Sequence, residues 1–199
     1  MTTASGWNHT IREQLSAHWQ DQLRGRLQGL TDDEYFWEPV SGAWNIRRRG
    51  TGSAPVQAGS GEMTIDFALP EPVPPPFTTI AWRLGHVIVG VLAMRNAAHF
   101  SREPTDYQSF EYAATAEEAL AQLDREYAAW QSGVESLGED GLRRPVGEAE
   151  VGHEESPYVE LVLHINREMI HHLAEVCLLR DLYTHGHAHS QGHTPEQRA

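Results

Sequence analysis

Ile11, Leu15, Trp19, Leu23 and Leu27 lie four residues apart, and this spacing, repeated in three later stretches, constrains the fold more than any other feature. An apolar residue every three to four positions lines one face of an α-helix, whereas a half-buried strand alternates every second residue. The first stretch predicts a helix from about Asn8 to Gly29, stopped by Gly29 and the polar cluster Thr31-Asp32-Asp33. Ile80, Leu84, Val87, Val91 and Met94 predict a second, from Thr78 or Thr79 to about His99. Thr115-Ala116-Glu117-Glu118 has capping-box spacing and opens a third, carried by Leu120, Leu123, Tyr127, Trp130 and Val134 to near Gly138. A fourth spans about Ser156 to Tyr183.

Between the first two helices, from about Tyr35 to Pro76, glycine and proline are frequent and the segment ends in Pro72-Val73-Pro74-Pro75-Pro76. Proline lacks an N–H and blocks the preceding turn, so no long helix forms there. Met63-Thr64-Ile65-Asp66-Phe67 alternates and predicts one short extended piece. A loop of ~40 residues is unusual in a compact domain and often lines a site. The predicted fold class is all-α: a four-helix bundle with a long irregular excursion between helices one and two. The bundle is expected to occupy residues 1–184. Residues 185–199, which begin His185-Gly186-His187-Ala188-His189, read as a disordered His-rich tail with at most weak metal affinity.

At 199 residues and 40% apolar composition the chain suits one globular domain. No apolar run approaches the ~20 residues of a membrane span, and the first residues lack the basic and apolar regions of a secretory signal. A single cysteine, Cys177, permits no internal disulfide and fits a reducing compartment, so the cytoplasm is expected. Cys177 lies among Val176, Leu178 and Leu179 without a basic neighbour, and reads as a packed residue rather than a nucleophile. The net charge of −13 repels nucleic acid. The only basic run, Arg47-Arg48-Arg49, reads as a solvated loop before it reads as a phosphate clamp. If the chain self-associates, a two-fold homodimer is the expected assembly.

Chemistry concentrates on helix four. One face reads Leu161, Ile165, Glu168, His172, Glu175, Leu179, Leu182, apolar at both ends and polar in the middle. Glu168 and His172 stand one turn apart, where Cβ atoms are ~5–6 Å from each other, so both can reach one cation. A buried carboxylate needs a cation or a proton. His86 of helix two, on a face with Trp82, Val89, Gly90 and Ala93, is the best third ligand, and the small residues there would allow close helix approach. His–Glu–His with an open fourth position is a catalytic-type zinc ligand set, and iron or nickel also accept it. Simpler readings stand beside this one. His86 is also explained as a packed core histidine, Glu168 and His172 as an i,i+4 ion pair, and His164 or His171 as a substitute ligand. His99 reads as structural.

Ile80-Ala81-Trp82-Arg83-Leu84-Gly85-His86, together with His164-Ile165-Asn166-Arg167-Glu168-Met169-Ile170-His171-His172, resembles the DinB-like superfamily. Gly29-Leu30-Thr31-Asp32-Asp33-Glu34, Trp37-Glu38-Pro39 and Trp44 are similar to the loop after helix one in many of its members. The resemblance covers most of the chain and implies a metal-binding four-helix bundle of the group that includes mycothiol-dependent maleylpyruvate isomerase and related bacterial thiol transferases. It implies one histidine of helix two and a His/Glu-x-x-x-His pair of the last helix as ligands, here His86, Glu168 and His172. Many relatives carry histidine where this chain has Glu168. The maleylpyruvate isomerase branch resembles it in using glutamate, which favours thiol transfer.

The resulting expectation is a protein holding one divalent metal, zinc first, and transferring a low-molecular-weight thiol of mycothiol type to an electrophilic small molecule. A coordinated thiol is held as thiolate. Glu175 would orient His172 or move a proton, and Arg83 would hold a substrate carboxylate or form an ion pair. The alternatives are hydrolysis by an activated water with Glu175 as general base, and a non-catalytic stress-response or binding protein whose metal only braces the bundle.

Overall fold

A computed structural model describes residues 6–191. Four long helices pack together. The first runs through α1 (Trp7–His18), a π-helical stretch Trp19–Leu23 and α2 (Arg24–Leu27). The second runs through α4 (Ile80–His86), a π-helical stretch Val87–Ala93 and α5 (Met94–His99). The third is α6 (Ala116–Arg143) and the fourth α7 (Tyr158–Gln191). A short helix, α3 (Asp32–Tyr35), follows the first. The third and fourth helices each pack against both of the others and against one another. The core they enclose is built largely from the predicted stripes: Leu15, Leu27, Ile80, Leu84, Val87, Val91, Leu123, Trp130 and Ile165 are all buried, joined by Ile88 and Leu92 outside the predicted stripe.

The boundaries differ in places for identifiable reasons. Gly138 takes φ 59° and ψ −168° inside α6, so the chain kinks at the predicted end and then makes a last turn to Arg143. Thr115 caps α6 by accepting from Glu118 N, while the Glu118 carboxylate accepts from Ala114 N rather than from Thr115. Thr31 does not merely stop the first helix, because it forms a full capping box with Glu34 and starts α3. α7 continues past Tyr183 to Gln191, so the helix takes in the start of the predicted tail. Residues 192–199 of that tail lie outside the described residues.

The fold is helix-rich but not purely α. The excursion folds into a small antiparallel sheet of β1 (Ile46–Arg48), β2 (Val56–Ala58) and β3 (Met63–Phe67), ordered β1-β3-β2. β3 is the predicted extended piece. Its partners are three-residue strands, too short to show an alternating pattern in sequence. Ile46, Ile65 and Ala58 pair across the sheet as one buried row. That row lies on α4 at Gly85, where a Cβ would come within 2.9 Å of Ile46 Cδ1 and 3.1 Å of Ile65 Cδ1. Phe67 projects from the same face of β3 two residues on, and stands 5.6 Å from the Trp82 ring and 5.0 Å from the Tyr107 ring. The sheet therefore fixes the aromatic surroundings of α4.

Arg47 pairs with Glu38 and the buried Asp66, and Arg49 donates to the carbonyls of Gly59 and Gly61. The basic run is thus largely bound into the excursion. No helix among the described residues is long and apolar enough to cross a membrane.

Candidate metal centre

α4 ends at His86, and α7 packs across it, bringing His172 opposite. The two imidazoles stand 4.8 Å apart between ring centroids and nearly perpendicular, at 86°. His172 Nε2 lies 3.4 Å from Glu168 Oε2, one turn back on α7. The sequence placed this patch in the middle of an apolar seam, and the structure places it at the seam's edge. The fully buried stripe of α7 is Val162, Ile165, Met169, Leu173 and Val176. Glu168, His172 and Glu175 are each one residue, about 100°, away from it, with side chains 28%, 18% and 32% exposed. Leu182, expected on the seam, is exposed. The centre consequently faces outward from the bundle, within reach of a small molecule.

Each ring is held through Nδ1. His86 Nδ1 is 2.7 Å from the Tyr107 hydroxyl, and His172 Nδ1 is 3.0 Å from Glu175 Oε2. Arg83, one turn before His86, donates to the same Glu175 oxygen. An Arg83–Glu175–His172 chain therefore links α4 to α7, and both residues picked as catalytic candidates act on His172 from behind. Outer partners of this kind fix the tautomer and aim of a ligating histidine.

Burial pushes the His86 pKa down to about 4, helped by the nearby His172, Arg83 and Arg95 and opposed by Glu168. The ring is neutral near pH 7. Burial also pushes Tyr107 up to about 12, so it remains a phenol. His86 stacks on Trp82 at 5.6 Å and 14°, while Tyr107, its ring 6.4 Å away and tilted by 15°, meets the imidazole at its Nδ1 edge through the hydroxyl.

Gly90 has a different role from the one its size suggests. It leaves room for a hydroxyl, not for a helix: a Cβ there would lie 2.0 Å from Tyr107 Oη and 3.3 Å from His86 Nδ1. It sits in the π-helical stretch that begins right after His86, the kind of local widening often found at functional sites. Tyr107 escaped the sequence reading because it lies in the loop before α6, 21 residues from its partner. A glycine inside an apolar helix was the one available signal.

The other histidines sort by exposure. His164 Nδ1 is 3.7 Å from Glu168 Oε1, with the ring 45% exposed. His171 is 63% exposed and its Nε2 lies 3.6 Å from Glu175 Oε1. Among the described residues, His171, His172 and Glu175 offer ligand atoms within 4.8 Å of one another, a group able to hold a metal. His99 is buried between Tyr158 and Glu150, as a structural histidine. Cys177 is buried and desolvation pushes its thiol pKa up, the reverse of an activated nucleophile.

Neither a curated protein nor a solved structure matches this chain. The DinB superfamily model matches residues 14–176, a span that covers the second and third long helices, parts of the first and fourth, and His86, Tyr107, Glu168, His172 and Glu175. By a match over most of its length, the chain belongs to the DinB superfamily.

Proposed function

We propose that the protein binds one divalent metal ion through His86, Glu168 and His172, and transfers a low-molecular-weight thiol to an electrophilic small molecule. The observation that carries the metal reading is the His172–Glu168 contact. His172 Nδ1 lies 3.0 Å from Glu175 Oε2 and its Nε2 lies 3.4 Å from Glu168 Oε2, so in the tautomer that carries its proton on Nδ1 the Nε2 lone pair faces the Glu168 carboxylate. In that tautomer two acceptors face each other, and a metal ion or a proton between them relieves the repulsion. The separation is longer than the ~2.7–3.2 Å of a good hydrogen bond, and it matches the ~3.4 Å edge of a tetrahedron with metal–ligand bonds near ~2.1 Å. His86, neutral and held at Nδ1 by Tyr107, stands 4.8 Å from His172 between ring centroids and would complete the set through Nε2.

The alternative group of His171, His172 and Glu175 fits less well. His171 is mostly solvated, and the Glu175 charge is already matched by Arg83. Zinc suits the two-imidazole, one-carboxylate set, with iron and nickel next.

When bound, the metal would hold the thiol as thiolate at neutral pH. A thiolate so held, its proton given up to solvent, would form the new C–S bond as the leaving group takes the electron pair of the bond that breaks. Glu175 and Arg83 keep His172 aimed and are positioning residues in this scheme. Trp82, Phe67 and Tyr107 shield one side of His86 from water. The family and the use of glutamate at Glu168 support thiol transfer over hydrolysis.

The test is loss of free thiol in the presence of 1-chloro-2,4-dinitrobenzene, with metal-loaded protein, chelated protein and His172→Ala. Metal-dependent consumption that His172→Ala abolishes is the expected result, and full activity after chelation rejects it. Ester cleavage without added thiol would favour the hydrolase.

A further inference from the structure

A cavity of about 720 Å³ lies between α5, the 144–157 loop and the first turns of α7. It borders the centre just described. His164 and Arg167 line it, and their side chains reach Glu168 Oε1 at 3.7 Å and 3.9 Å. Arg95 lines it from the other helix and donates to Gly90 O at 2.7 Å, the residue packed beside His86. We propose that this cavity is an anion subsite of the metal centre, in which Arg95 and Arg167 pair with a carboxylate on a small organic ligand. The inference rests on the metal reading above and names the ligand class that the same centre takes.

Two arginines in one cavity need explaining in a chain whose net charge is −13. Arg95 has spare capacity. Its Nε is buried and lies 3.4 Å from Glu150 Oε1, yet makes no hydrogen bond. Arg95 Nη2 reaches Glu150 only at 3.5 Å, because Glu150 is drawn at 3.0 Å to the buried His99. The Glu150 carboxylate is thus shared, and a donor of Arg95 is left for an incoming oxygen. Arg167 is largely solvated; its Nη2 contacts His164 Nδ1 at 2.8 Å, and the carboxylate it meets, Glu168, is 3.9 Å from its Nε. With Glu168 serving the metal, Arg167 is available to an anion.

The other acid, Glu160, is exposed in the first turn of α7, where its charge meets the positive end of the helix dipole. Val146, Leu161 and Leu163 supply an apolar surface for a short carbon chain. A guanidinium pairs with a carboxylate through paired N–H donors, which makes arginine the side chain suited to this recognition.

The probes are 3-mercaptopropionate, 1-propanethiol and propionate, tested on the full chain loaded with Co²⁺. Binding of the thiols is followed by the thiolate-to-cobalt absorption band, and propionate by calorimetry. A charged hydrogen bond is worth about tenfold or more in affinity. 3-Mercaptopropionate should therefore bind at least about tenfold tighter than 1-propanethiol, and Arg95→Gln and Arg167→Gln should each erode that preference. Arg167 is exposed, so its variant folds even if Arg95→Gln does not. Equal binding of the two thiols overturns the subsite while leaving the metal–thiol reading standing. Absence of any thiolate band rejects that reading, and the subsite is then decided by propionate: heat of binding lost in Arg167→Gln supports it, and no heat in the parent chain overturns it.

Discussion

The Tyr107 hydroxyl stands 2.7 Å from His86 Nδ1 because Gly90 has no side chain to occupy that space. A methyl group at this position would lie 2.0 Å from the hydroxyl and drive the tyrosine away. Gly90→Ala should therefore release His86 from its partner while adding helix propensity. Losing an outer partner of a ligating histidine costs about 10–100-fold in metal affinity. Competition with a chromogenic chelator should show that loss in Gly90→Ala and in Tyr107→Phe, with helical circular dichroism unchanged in both. Undiminished affinity in both variants would remove Tyr107 from the site.

That pair marks where sequence periodicity stops being informative. The stripes Leu15, Leu84, Leu123 and Ile165 placed the four helices because burial of one face repeats with the helix turn. His86, Glu168 and His172 stood out as polar residues on or beside those stripes. Tyr107, Arg95 and Phe67 could not be tied to the site, because their partners are set by tertiary packing and leave no local spacing. β1 and β2 were hidden for the same reason: three-residue strands are specified by β3 and by the α4 surface at Gly85. Leu161, Ile165 and Leu179 of the predicted seam are buried, but Glu168, His172 and Glu175 stand one residue, about 100° of helix rotation, from Met169, Leu173 and Val176, and that offset leaves them partly exposed.

The buried His86 should make the metal-free protein sensitive to acid. Desolvation, with help from neighbouring positive charge, lowers its pKa from 6.5 to about 4 in the folded state. Between these values the unfolded chain binds a proton that the folded one does not, so stability falls as pH drops from about 6.5 to about 4, then levels off. The full shift is worth on the order of 3 kcal/mol. Urea unfolding in the presence of chelator at pH 7 and pH 4.5 should show this slope, and His86→Gln should flatten it. Glu150, lowered chiefly by its bond to His99, acts in the same direction, but from the carboxylate range downward. A slope unchanged in His86→Gln would place the acid sensitivity elsewhere.

Arg180 ties α3 and the end of the first helix to α7. From α7 its Nε and Nη2 meet the two oxygens of buried Glu34 at 3.0 and 3.1 Å, and Nη1 donates to Arg26 O and Gln28 O. Removing one partner of a buried pair strands the other charge, at about 3–5 kcal/mol. Arg180→Met should cost that much in denaturant unfolding. The double variant Arg180→Met, Glu34→Gln should recover a large part of it, since no ionised group is then left unpaired. Equal losses in the single and double variants would mean that the carbonyl contacts, not the ion pair, carry the stability.

Two ligand sets share His172 and differ in every other member, so elemental analysis of variants separates them. If His86, Glu168 and His172 hold the ion, purified protein carries about one equivalent, His86→Ala and Glu168→Ala lose it, and His171→Ala keeps it. If His171, His172 and Glu175 hold it, His171→Ala loses the ion and His86→Ala keeps it. Truncation after Gly186 removes His187, His189 and His193 and should leave the equivalent in place, because none of them belongs to either set. Glu175→Gln is the finer probe. Its amide oxygen still accepts from His172 Nδ1, so the ring stays aimed, but the negative charge facing Arg83 is gone. Metal should remain bound with roughly tenfold weaker affinity; complete loss would make Glu175 a ligand rather than the group that aims one.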